Sequence, residues 1–223
     1  MDQTTALIVF VKYPSPGRVK TRLAKEIGED AAAQCYRLMA QECIERYRSI
    51  PATHCMIYYD PVEEEGRYRQ WLGSGLDYIP QGPGNLGDRL AHGFVAALER
   101  FPQAIALGTD SPTLPPQNIE SAARALASRD VVIGPTEDGG YYLIGLKSFD
   151  PRLFQEIAWS TDQVFAQTQQ RCQQAKLTTL ALPPWFDVDT QADLQRLYHQ
   201  TGATLSGPLQ GWLDSFFASK STG

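Results

Sequence analysis

The sequence predicts an α/β domain on a mostly parallel sheet with helices on both faces, and three observations carry this. Short apolar runs of strand character alternate with segments whose apolar residues recur at helical spacing. The first run, Ala6 to Val11, is continuously apolar, as a strand buried on both faces should be. The charged and glycine-rich clusters follow strands, which is where open α/β sheets bind ligands.

The elements follow in order. After the strand Ala6–Val11, residues 31–48 place Ala32, Cys35, Tyr36, Met39, Cys43 and Tyr47 on one helical stripe. Cys55–Tyr59 is a second strand, 66–72 a short helix, and Leu76–Ile79 a third strand. Leu90, Phe94, Ala97 and Leu98 give a helix over 90–101. Ala104–Leu107 is a fourth strand, and Pro115 and Pro116 suit the first turn of a helix running to about Leu126. Val131–Ile133 and Tyr141–Leu146 flank a turn at Asp138-Gly139-Gly140. Ser160 with Gln163 reads as a capping box for a helix through Cys172. Leu177–Leu182 is the last strand, Asp189 or Thr190 caps a helix through Tyr198, and Leu209–Phe217 is one more short helix.

At 223 residues the chain suits a single domain, expected over 1–218 with a flexible tail at 219–223. A net charge of −5 argues against nucleic acid or an anionic membrane as the main partner. No apolar run is long enough to span a membrane, and the first residues lack a signal peptide's basic region. Cys35, Cys43, Cys55 and Cys172 show no CxxC spacing, so buried thiols in a cytoplasmic protein are expected. Without an obvious apolar surface helix, a monomer or weak homodimer is the default. His54, His92 and His199 stand in no metal or triad pattern, and no GxSxG elbow is present.

Against the acidic background, KYPSPGRVKTRL gathers Lys12, Arg18, Lys20 and Arg22, with Lys25 just beyond, around two prolines and a glycine. A stiff turn between a strand and a helix is a common place to hold phosphate, and arginine's fork matches phosphate oxygens. The spacing is neither GxxxxGK[ST] nor GxGxxG. Anion binding and a solvated basic loop are both open. The loop Gly82–Arg89, with Gly84 and Arg89, is a second candidate phosphate contact.

Asp110, in ALGTDSPTLPP, stands at a strand end suited to holding Mg2+ or Mn2+ through a carboxylate and waters, or to capping its own turn. Glu137 and Asp138 precede Gly139-Gly140, so Asp138 could act as base on an acceptor hydroxyl while the glycines admit a ligand or simply turn the chain. Asp187 and Asp189, two apart in WFDVDT, would face one way on an extended segment and complete a metal site, unless Asp189 only caps the next helix.

Together KYPSPGRVKTRL, LGTDSPTLP, DGGYYLIGL and FDVDTQADL, spanning Lys12 to Leu194, resemble bacterial GT-A-fold glycosyltransferases of the arsenosugar-biosynthesis type. VKTRL, DGG and DVDT are also similar to motifs of 2-phospholactate guanylyltransferases. The resemblance implies a three-layer α/β/α sandwich of the nucleotide-diphospho-sugar transferase type, with a nucleotide over the first loop and a divalent cation. It implies phosphate contacts by Lys20 and Arg22, metal contacts by Asp110 and Asp189, and a site role for Asp138, with Glu137, Gly139, Gly140 and Asp187 secondary. The expected reaction is sugar transfer from a nucleotide-diphospho-sugar to a small acceptor. The second acid of a DxD is absent after Asp110, as in many nucleotidyltransferases, so nucleotidyl transfer from a nucleoside triphosphate is the alternative. A non-catalytic nucleotide-binding protein is the third.

Overall fold

A computed structural model describes residues 4–200, 205 and 207–220. The strands are β1 (Thr5–Lys12), β2 (Thr53–Asp60), β3 (Asp77–Pro80), β4 (Ala104–Leu107), β5 (Val131–Pro135), β6 (Tyr141–Leu146) and β7 (Thr179–Ala181). They form one sheet in the order β3-β2-β1-β4-β6-β5-β7. Every pairing is parallel except those of β6, which runs antiparallel between β4 and β5.

The helices are α1 (Thr21–Ile27), α2 (Glu29–Arg48), α3 (Glu65–Leu72), α4 (Leu86–Leu98), α5 (Pro116–Ala125), α6 (Val164–Gln174), α7 (Gln191–Gln200) and α8 (Pro208–Lys220). Strand alternation decides what each covers. Leu7, Val9 and Val11 of β1 pack with Ala40, Cys43, Ile44 and Tyr47 of α2 and with α5. Ala6 and Ile8 face the other way, onto Leu90, Phe94 and Ala97 of α4 and Cys172 of α6. The result is the expected three layers. A third cluster joins Leu23 of α1, Cys35 and Met39 of α2, and the C-terminal pair α7 and α8.

The structure departs from the sequence reading at several helix ends. Residues 21–27 are helical, so Arg22 and Lys25 lie on α1 and not in a loop. Leu23 is the one fully buried residue of this short element, too few apolar positions to register as a period. The helix expected from Leu90 begins at Leu86, where Asn85 and Asp88 form a reciprocal capping box. The expected box at Ser160 does not form: α6 starts at Val164, and Ser160 is left-handed at φ 64. α8 runs to Lys220, past the point where a tail was expected, and residues 221–223 of that tail lie outside the described residues. Among the described residues no helix is long and apolar enough to cross a membrane.

Adjacent parallel strands β1 and β4 are followed by elements on different sides, since β1 leads toward β2 on one side while β4 opens the other half of the sheet. Such a switch leaves a crevice beyond the carboxyl ends of the two strands. Lys12 ends one strand, and Gly108 to Asp110 follow the other.

Candidate functional site

That crevice is a cavity of about 800 Å3, within the range of small-molecule sites. Its floor is apolar, from Val11, Ala106, Leu107 and Ile144, and its rim is charged. Lys12, Arg18, Lys20, Arg22, Gly84 and Arg89, all expected at a nucleotide site, line it together with Asp110 and Asp189. Lys25 lies outside the lining.

The first loop is shaped by short backbone bonds, Ser15 N–H to the Tyr13 carbonyl and Arg18 N–H to that of Ser15, with Gly17 at φ 72. Lys20 follows in the left-handed region, φ 47 and ψ 47, at the N-cap of α1. Few non-glycine residues adopt this conformation, and one that does is held there by its surroundings. What holds Lys20 is visible. Its side chain is 4% exposed, and its Nζ lies 2.5 Å from Asp110 Oδ1 and 2.9 Å from Asp189 Oδ1. Burial disfavours its charge, but the two carboxylates outweigh that and raise its pKa. Among the described residues Lys12, Arg18 and Arg22 form no ion pair, and all three line the cavity.

Asp189 is not the cap of α7. Thr190 takes that place, its hydroxyl accepting from Asp193 N–H while Asp193 Oδ2 accepts from Thr190 N–H. Asp189 is thereby left to Lys20. Burial opposes its ionisation, yet Lys20 and Arg22 hold its carboxyl below the usual range. Val188, between the two acids, is fully buried and donates its N–H to the Asp110 carbonyl, which ties the two acidic segments together.

Asp187 faces elsewhere than Asp189. It accepts a 2.6 Å hydrogen bond from Ser111 and lines a separate cavity of about 50 Å3 with Tyr47, Tyr142 and the back of Asp110. Burial, then the charge of Asp110, pushes its pKa up to about 7. The two acids thus line neighbouring cavities that share Gly108, Asp110, Tyr141 and Tyr142.

The acids of the DGG turn lie outside the lining of the main cavity. Asp138 Oδ1 accepts from Thr136 Oγ1 at 2.6 Å and from Gly140 N–H at 3.3 Å, closing its own turn. Glu137 forms a bidentate pair with Arg196 at 2.5 and 2.8 Å. A Cβ on Gly139, at φ 90, would meet the Asp162 carbonyl, and one on Gly140 would meet Thr136 Oγ1. None of these four lines the cavity. Tyr141, next in the chain, does.

Four contributors were missed in the sequence. The buried Tyr36 hydroxyl accepts from Lys12 N–H at 3.0 Å and from Thr109 Oγ1 at 3.2 Å, bridging the basic loop to the Asp110 loop. Asp60 and Gln81 accept from Arg89 at 3.0 and 2.9 Å, and Gln81 donates to the carbonyls of Val11 and Tyr58. Asp60 carried a usable signal, since it ends a strand just as Asp110 follows one. Tyr36 carried none, because its core stripe hides its hydroxyl.

Two carboxylates converging on one positive centre, with open cavity beside them, fit a hard divalent cation that keeps waters and takes substrate phosphates. Among the described residues there is no cluster of three or more His, Cys, Asp or Glu placed to hold a metal without such help.

The architecture is that of the nucleotide-diphospho-sugar transferase fold. A protein of Desulfovibrio desulfuricans G20, for which nucleotide-diphospho-sugar transfer is the proposed activity, superposes with a TM-score of 0.92 at 33% identity, over 98% of this chain and 97% of that one. Two more distant structures share the fold. CMP:2-keto-3-deoxy-manno-octonic acid synthetase complexed with CTP has a TM-score of 0.56 at 14% identity, over 87% and 97% of the two chains. A nucleotidyl transferase from Methanothermobacter has a TM-score of 0.58 at 13% identity, over 87% and 95%. The chain belongs to the family described as uncharacterized proteins conserved in bacteria (DUF2064), whose model matches residues 43–161. No curated protein matches it.

Proposed function

We propose that the protein is a metal-dependent transferase that takes a sugar from a nucleotide-diphospho-sugar and passes it to a small acceptor. The observation that carries this is the sharing of one cavity by cations outside any ion pair and a converging carboxylate pair. Lys12, Arg18 and Arg22 would neutralise the phosphate oxygens, and arginine's fork would fix their orientation. Asp110 and Asp189 would hold Mg2+ or Mn2+. The cation's chemistry there is charge neutralisation of a leaving nucleoside diphosphate. Arg89, fixed by Asp60 and Gln81 at the β2–β3 end, would bound the nucleoside. The remaining work is positioning and electrostatic stabilisation in a fixed polar frame. The resemblance to arsenosugar-type glycosyltransferases supports sugar transfer over other uses of the nucleotide.

Nucleotidyl transfer is the second reading, and one observation favours it. Pro112 stands where the second acid of a DxD would be, so the run after Asp110 sends no second acid into the cavity. The relative seen with CTP shares the fold. Product analysis separates the two. Incubation with Mn2+ and a panel of nucleotide-sugars should release nucleoside diphosphate. Release of pyrophosphate from a triphosphate plus a sugar phosphate, with no turnover of nucleotide-sugars, would establish the second reading and sink the first.

A further inference from the structure

The Lys20 ammonium sits where a metal ion would have to sit. Its Nζ is 2.5 Å from Asp110 Oδ1 and 2.9 Å from Asp189 Oδ1, the two oxygens the cation would use. A divalent ion coordinating them at roughly 2.1 Å cannot share that space with an ammonium at hydrogen-bond distance. The lysine is held firmly there. Its side chain is almost fully buried whereas each acid is about 40% exposed, and its backbone is in the left-handed region. Entry of a metal therefore requires the ammonium to leave. If it left with no anion to receive it, a buried positive charge would face a divalent cation across a low-dielectric site. A nucleotide's phosphates remove that obstacle, because they offer Lys20 new oxygens on the cavity side.

We propose that Lys20 is a resident counter-ion that bars the divalent cation until a nucleotide's phosphates draw its ammonium off the Asp110–Asp189 pair, so that metal and nucleotide load together. The inference rests on the metal-and-nucleotide reading above and adds to it an order of events. Free metal alone does not charge the site, and the empty enzyme keeps its acids neutralised.

The test uses Mn2+ alone, with no nucleotide, on the full chain. Mn2+ binding is followed by loss of the free-ion electron paramagnetic resonance signal, and stability by thermal unfolding. Wild type, Lys20→Met and Lys20→Gly are compared. The glycine variant is included because glycine accepts φ 47 without strain, so it folds even if methionine is poorly tolerated there. Wild type should bind Mn2+ weakly and keep its Tm when the ion is added. Both variants should melt lower without metal, since two acids then face each other unpaired. They should recover with Mn2+ and bind it at least about tenfold more tightly than wild type. If wild type takes Mn2+ as tightly as the variants, Lys20 does not guard the site and the proposal fails while the metal assignment stands. If neither wild type nor the variants bind Mn2+, Lys20 is not what bars the ion and the proposal fails; the metal reading falls with it only if Mn2+ is still not bound when a nucleoside diphosphate is added.

Discussion

Replacing Tyr36 by phenylalanine isolates the joint between the two halves of the site. The tyrosine ring is 5% exposed, and its hydroxyl is the acceptor for both Lys12 N–H and Thr109 Oγ1–H. β4 ends at Leu107, opposite Val9, so β1 has no ladder partner on that side by the time it reaches Lys12. Deleting one oxygen leaves two donors. The Thr109 hydroxyl can rotate to another acceptor, whereas the Lys12 N–H is fixed by the strand and stays unsatisfied. One orphaned buried donor costs about 1–3 kcal/mol. At about 2–4 °C per kcal/mol for a domain of this size, a middle value of ~2 kcal/mol lowers Tm by roughly 4–8 °C. Nucleotide affinity should fall as well, because the basic loop and the Asp110 loop lose their common tether. Tyr47→Phe is the control: its hydroxyl donates to the Gly108 carbonyl at 3.2 Å and accepts from no backbone N–H among the described residues, so a smaller shift is expected. Thermal unfolding with calorimetric nucleotide titration reads both effects. A Tyr36→Phe protein within about 1 °C of wild type and with unchanged nucleotide affinity would refute the bridging role.

Other consequences can be checked alongside. Asp187 has a folded pKa raised from ~4 to about 7, so between those values the folded state holds the extra proton. Stability of the metal-free protein should therefore decrease as pH rises across that window, and Asp187→Asn should flatten the slope in a pH series of urea melts. Asp138→Ala removes the acceptor that closes the DGG turn, so it should cost about 1 kcal/mol of stability yet leave nucleotide affinity unchanged; a tenfold loss of binding would return Asp138 to the site. Gly87→Ala would place a Cβ 2.7 Å from Trp159 and 2.9 Å from the Phe154 carbonyl. It should destabilise by about 1–3 kcal/mol through shifting the start of α4, and a Tm equal to wild type would show that this packing gives way freely.

The fold was largely readable because its signals are redundant. Buried strands such as β1 and the long stripe of α2 are spelled out by apolar runs and periods that packing merely confirms. α1 escaped because seven residues with one buried leucine make no period, and because its cations suggested a loop. α6 lost its expected cap because Ser160 is held left-handed in the segment that lines the cavity, a tertiary demand that local capping preference cannot reveal. In the site, the residues that follow parallel strands were found by position alone, and Lys20, Asp110 and Asp189 do converge. Asp138 also lies beyond a strand, but its side chain closes its own turn, accepting from Thr136 Oγ1 and Gly140 N–H. The Tyr36 bridge and the Arg89 cradle depend on contacts 73 and 29 residues apart in sequence, which no spacing rule encodes.

The proposed function requires nucleotide phosphates and a divalent cation to meet between the basic loop and the Asp110–Asp189 pair. The most direct test is a crystal grown with Mn2+ and a nucleoside diphosphate, measured at a wavelength where manganese scatters anomalously. The expected result is an anomalous peak beside Asp110, Asp189 and the phosphates, with Lys20 moved onto a phosphate oxygen and Arg18 or Arg22 in contact. A nucleotide bound elsewhere, or phosphates in the cavity with Lys20 still between the two carboxylates and no manganese peak, would contradict it.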